Sequence, residues 1–202
     1  MIIDPIVLLT FIPVGLALNI TPGADMLFCL SQGLRGGARP GWAASAGVSA
    51  GAFVHTFLAG IGLGALVDAH PGAFDVIRWT GVSYLLYIAW KTLRTPIGSA
   101  DAKPLTPRRA AWQGFVVNLT NPKVILFILA FVPQFVDPSR AVLPQFLIFG
   151  VMLAAGGLIV NGLVGQFAGN LRHRLTNGSM TERLTRWITA TLFGGLAVRL
   201  AL

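Results

Sequence analysis

Charge is what this chain has least of. Only 11% of its 202 residues are charged, against 54% hydrophobic, and the mean hydropathy is +0.73. A soluble domain of this length needs roughly 25% charged residues to cover its surface. The composition therefore excludes an ordinary soluble fold and assigns much of the surface to lipid. Cysteine is nearly absent too. Cys29 stands alone, which excludes an internal disulfide, a CxxC redox pair, a thiolate metal cluster and a carrier working through two intramembrane cysteines. Its expected role is that of a small apolar residue inside a helix. Three histidines, with no His/Cys/Asp cluster at ligand spacing, give no metal site. No serine lies in a recognisable nucleophile motif, so an intramembrane hydrolase lacks its nucleophile. Neither an enzyme activity nor a cofactor is expected. The opening Met-Ile-Ile-Asp has no basic region of the kind that starts a cleaved signal peptide, so the first apolar segment is expected to remain in the mature protein.

Acidic residues are also scarce, seven against fifteen Lys and Arg, for a net charge of +8 and a pI near 11.1. That balance would suit a nucleic-acid partner if the basic residues gathered on one face with aromatics for stacking. They lie instead in short connections between long apolar runs, which argues against nucleic acid. A spanning helix takes about 20 apolar residues, and six stretches qualify: Ile6 to Leu34, Pro40 to Val67, Phe74 to Leu93, Ala110 to Val136, Val142 to Ala168 and Thr185 to Leu202. The last is short, and Arg199 near its end is expected to snorkel to the interface.

Cytoplasmic connections carry the excess of Lys and Arg. The first, third and fifth hold eleven: Arg35 and Arg39; Lys91, Arg94, Lys103, Arg108 and Arg109; Arg172, Arg174, Arg183 and Arg186. The other side holds three, Arg78, Arg140 and Arg199, together with Asp4, Asp68, Asp75 and Asp137. Both termini are thus expected outside. Trp42, Trp90, Trp112 and Trp187 fall at the cytoplasmic ends and Trp79 near an outer end, the headgroup level that indoles prefer. The third connection, 95–109, has linker character through Pro96, Gly98, Ser99, Pro104 and Pro107. It divides a single membrane domain into residues 1–94 and 110–202, three spans each.

The halves share a motif. The first span holds Asn19-Ile20-Thr21-Pro22-Gly23-Ala24-Asp25 and the fourth holds Asn118-Leu119-Thr120-Asn121-Pro122-Lys123. Asn and Thr keep their spacing and the proline is displaced by one. Halves with an odd number of spans run in opposite directions through the membrane, giving an inverted repeat. Proline removes an amide donor and crowds the carbonyl four residues back, and Gly23 adds backbone freedom, so the first and fourth helices should break. At about 1.5 Å per residue, Asp25 lies roughly 15 Å from Arg35 and Asn118 roughly 14 Å from Arg109, near mid-membrane. Freed backbone groups at that depth need protein or a water-lined cavity, and half-helix ends attract ions of opposite sign. Two ordinary kinks capped by Asn and Thr are the simpler alternative. Paired occurrence with a charge beside each favours a binding site for a small zwitterion or ion.

Asp25 and Lys123 are the charges that topology leaves unexplained, since a charge at mid-membrane costs at least ~2.5–3.5 kcal/mol. They either form an ion pair that substrate or a proton opens, or make a permanent structural pair. His55, mid-span in the second helix, either relays protons or forms a neutral hydrogen bond within the bundle. Gln32, Gln113, Gln134, Asn161 and Gln166 either line a path or bond between helices. Gly47 with Gly51, Gly60 with Gly64, and Gly165 with Gly169 are expected to let helices approach closely.

On these residues the chain resembles the LysE/RhtB family of bacterial amino-acid exporters over essentially its full length. The resemblance is carried by Asn19-Ile-Thr-Pro-Gly-Ala-Asp25, the Gly-rich second span, Gly81-Val-Ser-Tyr-Leu-Leu-Tyr87 leading to Trp90, Phe115-Val-Val-Asn-Leu-Thr-Asn-Pro-Lys123, and Phe131-Val-Pro-Gln-Phe135. It implies an all-α, six-span protein of the bacterial inner membrane that exports amino acids or close derivatives of the threonine, homoserine, leucine or lysine class in exchange for protons. It implicates Asn19, Thr21, Pro22, Gly23 and Asp25 in one repeat and Asn118, Asn121, Pro122 and Lys123 in the other. Family members commonly read Thr-Pro-Gly-Pro where this chain has Ala24, so its first break is expected to be milder or its half-helix to start one position away. Metal-cation efflux by a relative of the same fold is the alternative, and a passive channel a further one. A unit of this size with three-span halves often dimerises, so a homodimer stands beside a monomer as an open alternative.

Overall fold

The computed structural model describes residues 2–69 and 105–168 continuously, with isolated helical positions between Val76 and Arg94 and between Met180 and Val198. Every regular element among the described residues is helical. Helix α1, Pro5–Ile20, starts where proline suits the first helical position, and Asp4 Oδ1 accepts from the Ile6 amide at 2.8 Å. After a break comes α2, Ala24–Gly36. Gly37, at φ 79°, ends it and turns the chain directly into α3, Ala38–Ala69. In the second half, α4 is Pro107–Leu119, with Thr106 capping the Arg109 amide, and α5 is Pro122–Phe131, with Asn121 capping the Lys123 amide. A 3-10 turn, Val132–Phe135, follows, and α6 is Val142–Gln166.

Two of these helices, α3 over Ala38–Gly62 and α6, are each long and apolar enough to cross a membrane. The pair α1 and α2 qualifies jointly with a 57° bend, and α4 with Pro122–Phe135 jointly with a 54° bend. Both breaks fall at the paired motifs, within the stretches expected as the first and fourth spans and beside their prolines. The edges differ from expectation by a few residues: the fourth span begins at Pro107, because Thr106 and Pro107 form a ready-made helix start, and the fifth ends at Gln166. The stretches expected as the third and sixth spans, apart from isolated positions, and the connection over 95–104 lie outside the described residues.

Helix α3 packs along both α6 and α4. At the α4 crossing the backbones meet: a Cβ on Gly47 would strike the Ala111 carbonyl, and one on Gly114 the Ala44 carbonyl. Gly33, Gly41 and Gly165 likewise bring α2, α3 and α6 together. Around them lies a small-residue cluster of Cys29, Ala44, Val48 and Ala110. The opposite half is packed by large rings. Phe11 of α1 meets Phe149 at 4.5 Å and Phe135 at 5.1 Å between centroids, and Phe127 stacks on Phe131 at 5.3 Å. Ile6, Leu9, Leu58, Ile61, Val151 and Ile159 are exposed, an apolar exterior that lipid accommodates and water does not.

Candidate functional site

The site forms where the two breaks meet. Pro22 has no amide to give to the Leu18 carbonyl four residues back, so the last carbonyls of α1 need another donor. Lys123 supplies it: Nζ donates to the Leu18 carbonyl at 3.2 Å and to the Thr21 carbonyl at 3.1 Å. Its positive charge thereby caps the negative end of the α1 dipole. Thr21 turns its hydroxyl back to the Ala17 carbonyl at 2.6 Å. The lysine arrives there because Asn121 fixes the start of α5, its Oδ1 accepting from the Lys123 amide at 3.1 Å.

Asp25 lies in the first turn of α2, at the positive end of that dipole. Its Oδ2 accepts from Asn118 Nδ2 at 3.0 Å, which ties the last turn of α4 to α2. Asn118 fits because Gly51 of α3 leaves room, a Cβ there reaching 2.8 Å from both Cβ and Oδ1 of Asn118. Its counterpart Asn19 is held in a similar way. Asn19 Nδ2 donates to the Leu153 carbonyl at 3.2 Å, and the side chain lies over Gly156 and Gly157 of α6. His55 Nε2 is 3.3 Å from the Asn118 carbonyl oxygen, so the tautomer making this bond carries its proton on Nε2.

Asn19, Thr21, Asp25, Asn118 and Lys123 line one buried cavity together with Ser49 and Asn161, with about 20 Å³ open to the centre of a water molecule. Pro22 and Gly23 do not line it, but a Cβ on Gly23 would come within 2.9 Å of Lys123 Nζ. Asn121 is buried and does not line it.

Several expectations are corrected. Asp25 and Lys123 do not form an ion pair. The ammonium is engaged by the α1 carbonyls and the carboxylate by Asn118. Gly23 has φ −163°, an extended conformation open to any residue, so space for Lys123 rather than backbone freedom accounts for it. Thr120 is exposed, its hydroxyl bonded back to the Val116 carbonyl at 2.9 Å, and Pro122 is exposed as the first residue of α5. Neither reaches the cavity. Gln166 joins helices, accepting from Trp42 Nε1 at 2.8 Å, and Gln134 bonds back to the Ala130 carbonyl. Ser49 was not singled out by sequence. Its position four residues after Ser45, which donates to the Leu158 carbonyl at 2.9 Å, marks a polar stripe on α3 facing α6.

A family description, LysE type translocator, matches residues 16–202. A Vibrio cholerae protein described as an uncharacterized membrane protein is 30% identical over 196 residues, covering 96% of this chain and 95% of its own. A homoserine/homoserine lactone efflux protein of Salmonella typhi is 33% identical over 147 residues, 71% of each chain. A leucine efflux protein of Enterobacter sp. (strain 638) is 32% identical over 197 residues, covering 95% of this chain and 93% of its own. No solved structure matches. With the matched region taking in both breaks, α3 and α6, the chain belongs to the LysE type translocator family.

Proposed function

We propose that this protein exports amino acids or close derivatives across the bacterial inner membrane by exchange with protons, and that the cavity between the two breaks is the substrate site. The observation that carries the reading is the placement of opposite charges at half-helix ends around one buried cavity: Lys123 at the carboxyl end of α1 and Asp25 at the amino end of α2. An amino acid is a zwitterion, and fixed charges of both signs with freed backbone groups at a helix break suit it. Asp25 is the one buried carboxylate among the described residues and the natural proton carrier.

In this reading the two halves are inverted repeats of three spans. Support comes from the paired motif, and from Asn19 packed on glycines of α6 while Asn118 packs on a glycine of α3. The distribution of Lys and Arg supports both termini outside. Asn19, Thr21, Asp25, Asn118 and Lys123 bind or couple. Pro22, Gly23, Asn121 and Pro122 shape the breaks, and His55 steadies the second. Assembly as a homodimer is part of the same proposal.

The test is a growth-inhibition screen with individual amino acids and dipeptides, comparing cells with and without the protein, with leucine, homoserine and homoserine lactone as first probes in view of the relatives' names. Relief by at least one amino acid or derivative is expected. Relief by no amino acid, but of cadmium or another metal, would overturn the reading.

A further inference from the structure

Four oxygen atoms around the cavity have no hydrogen-bond partner among the described residues: Asp25 Oδ1, Ser49 Oγ, Asn118 Oδ1 and Asn161 Oδ1. All four residues line the same space, and their side chains are buried, with residue exposures of 6%, 7%, 1% and 4%. An unmet buried acceptor costs about 1–3 kcal/mol, so four of them on residues that line one cavity point to a shared ligand rather than to an accident of packing. The cation already present does not serve them, because Lys123 is committed to the Leu18 and Thr21 carbonyls. The space, about 20 Å³ open to the centre of a water molecule, exceeds the roughly 10–15 Å³ that one water-sized body requires.

The donors are hard oxygens, and only one carries charge. A divalent ion takes six or more oxygens, commonly with more than one carboxylate. Asp25 is the one carboxylate of the set and the Lys123 ammonium lines the same cavity, so Asp25 with three neutral oxygens leaves room for no more than a single further positive charge.

We propose that Asp25, Ser49, Asn118 and Asn161 form a binding site for a compact monovalent cation. Two sources share that chemistry, the primary ammonium group of the exported substrate and a sodium ion. The first rests on the export reading above and the second does not. Asp25 supplies the charge, Asn118 is oriented by its bond to Asp25, and Ser49 and Asn161 complete the shell from α3 and α6. A cation there joins both breaks to the two continuous spans, so its arrival and departure would bias how the halves sit against each other.

The experiment uses the full chain in lipid nanodiscs in choline chloride. One arm measures binding of radioactive sodium. The other compares binding of leucine and homoserine with that of their 2-hydroxy acid analogues, which keep the carboxylate and lose the ammonium. The expected result is saturable sodium binding at one site per chain, or at least tenfold weaker binding of the hydroxy acids. In whichever arm responds, Ser49→Ala and Asn161→Ala should each weaken cation binding or shrink the amine preference about tenfold, with thermal unfolding retained as a check on folding. The proposal is overturned if sodium does not bind and no preference for the amine exists. It is also overturned if both folded variants bind as the parent does. Failure of the export screen alone removes the ammonium source and leaves the sodium arm to decide.

Discussion

The two breaks bend their helices almost equally, 57° and 54°, but they are built in opposite ways. The second closes its helix ends within its own turn: Asn121 caps α5 through its own side chain, the Asn121 amide donates to the Asn118 carbonyl at 2.9 Å, and Thr120 bonds back within α4, with Asp25 and His55 adding bonds to Asn118 from α2 and α3. The first is incomplete. Gly23 brings no capping side chain to α2, and the carbonyl that Pro22 leaves free is met from across the molecule by Lys123. The second break is therefore a scaffold and the first is its dependent. A connection that reaches across the cavity can be opened by whatever enters the cavity, whereas one closed within a single turn cannot.

The largest effect expected from breaking this asymmetry belongs to Lys123→Met. It strips the donor from two buried carbonyls at about 1–3 kcal/mol each, and both unfolding stability in detergent and export should fall sharply. Equal stability to the parent would show that the first break closes without the lysine. Gly23→Ala comes next. The added carbon would lie 2.9 Å from Nζ and displace the ammonium, so we expect export to drop about tenfold, the equivalent of about 1.4 kcal/mol. The matched change Pro122→Ala should cost no more than about 0.5 kcal/mol, since Asn121 still caps α5.

His55→Ala is a smaller perturbation, removing a bond to the Asn118 carbonyl worth about 0.6–1.7 kcal/mol in a membrane. It should lower export a few-fold with the pH profile unmoved, because the histidine holds backbone rather than a titrating side chain; a displaced pH profile would make His55 a relay. Smallest is the threonine pair. Thr21→Val deletes a buried 2.6 Å bond beside the cavity and should be measurable in export assays, whereas Thr120→Val, on an exposed side chain, should be indistinguishable from the parent.

Position along the chain was legible in the sequence to within a few residues, because a proline lacking an amide breaks a membrane helix in a recognisable way once glycine or an Asn cap follows. Pro13 shows the limit: it lies inside α1, which continues through it to Ile20. Proline alone does not make a break. That Asp25, Asn118 and Lys123 line one cavity was foreshadowed by the paired motifs, which put a helix break beside each of them at similar depth. Their bonding was not. Opposite charges in lipid invite an ion pair by Coulomb's law, but helix-end carbonyls and an Asn amide compete for the same groups at shorter reach, and that competition depends on crossing geometry. Thr120 shares its spacing with Thr21 yet is exposed, the chain resuming as α5 one residue earlier relative to the motif than it does as α2. Ser49 escaped notice because it does not belong to the motif, and Asn161 stood out only as one of five polar residues that either line a path or bond between helices; both line the cavity through the faces of α3 and α6 on which they lie.

The central claim is that the cavity between the breaks carries substrate and that Asp25 couples it to protons. The most direct measurement is proton-linked amino-acid efflux by Asp25→Asn in membrane vesicles, with the amount of inserted protein determined alongside. The amide replaces the carboxylate at nearly equal size, so the account predicts normal insertion and efflux reduced to the level of vesicles lacking the protein. Full retention of proton-linked efflux by Asp25→Asn would contradict it.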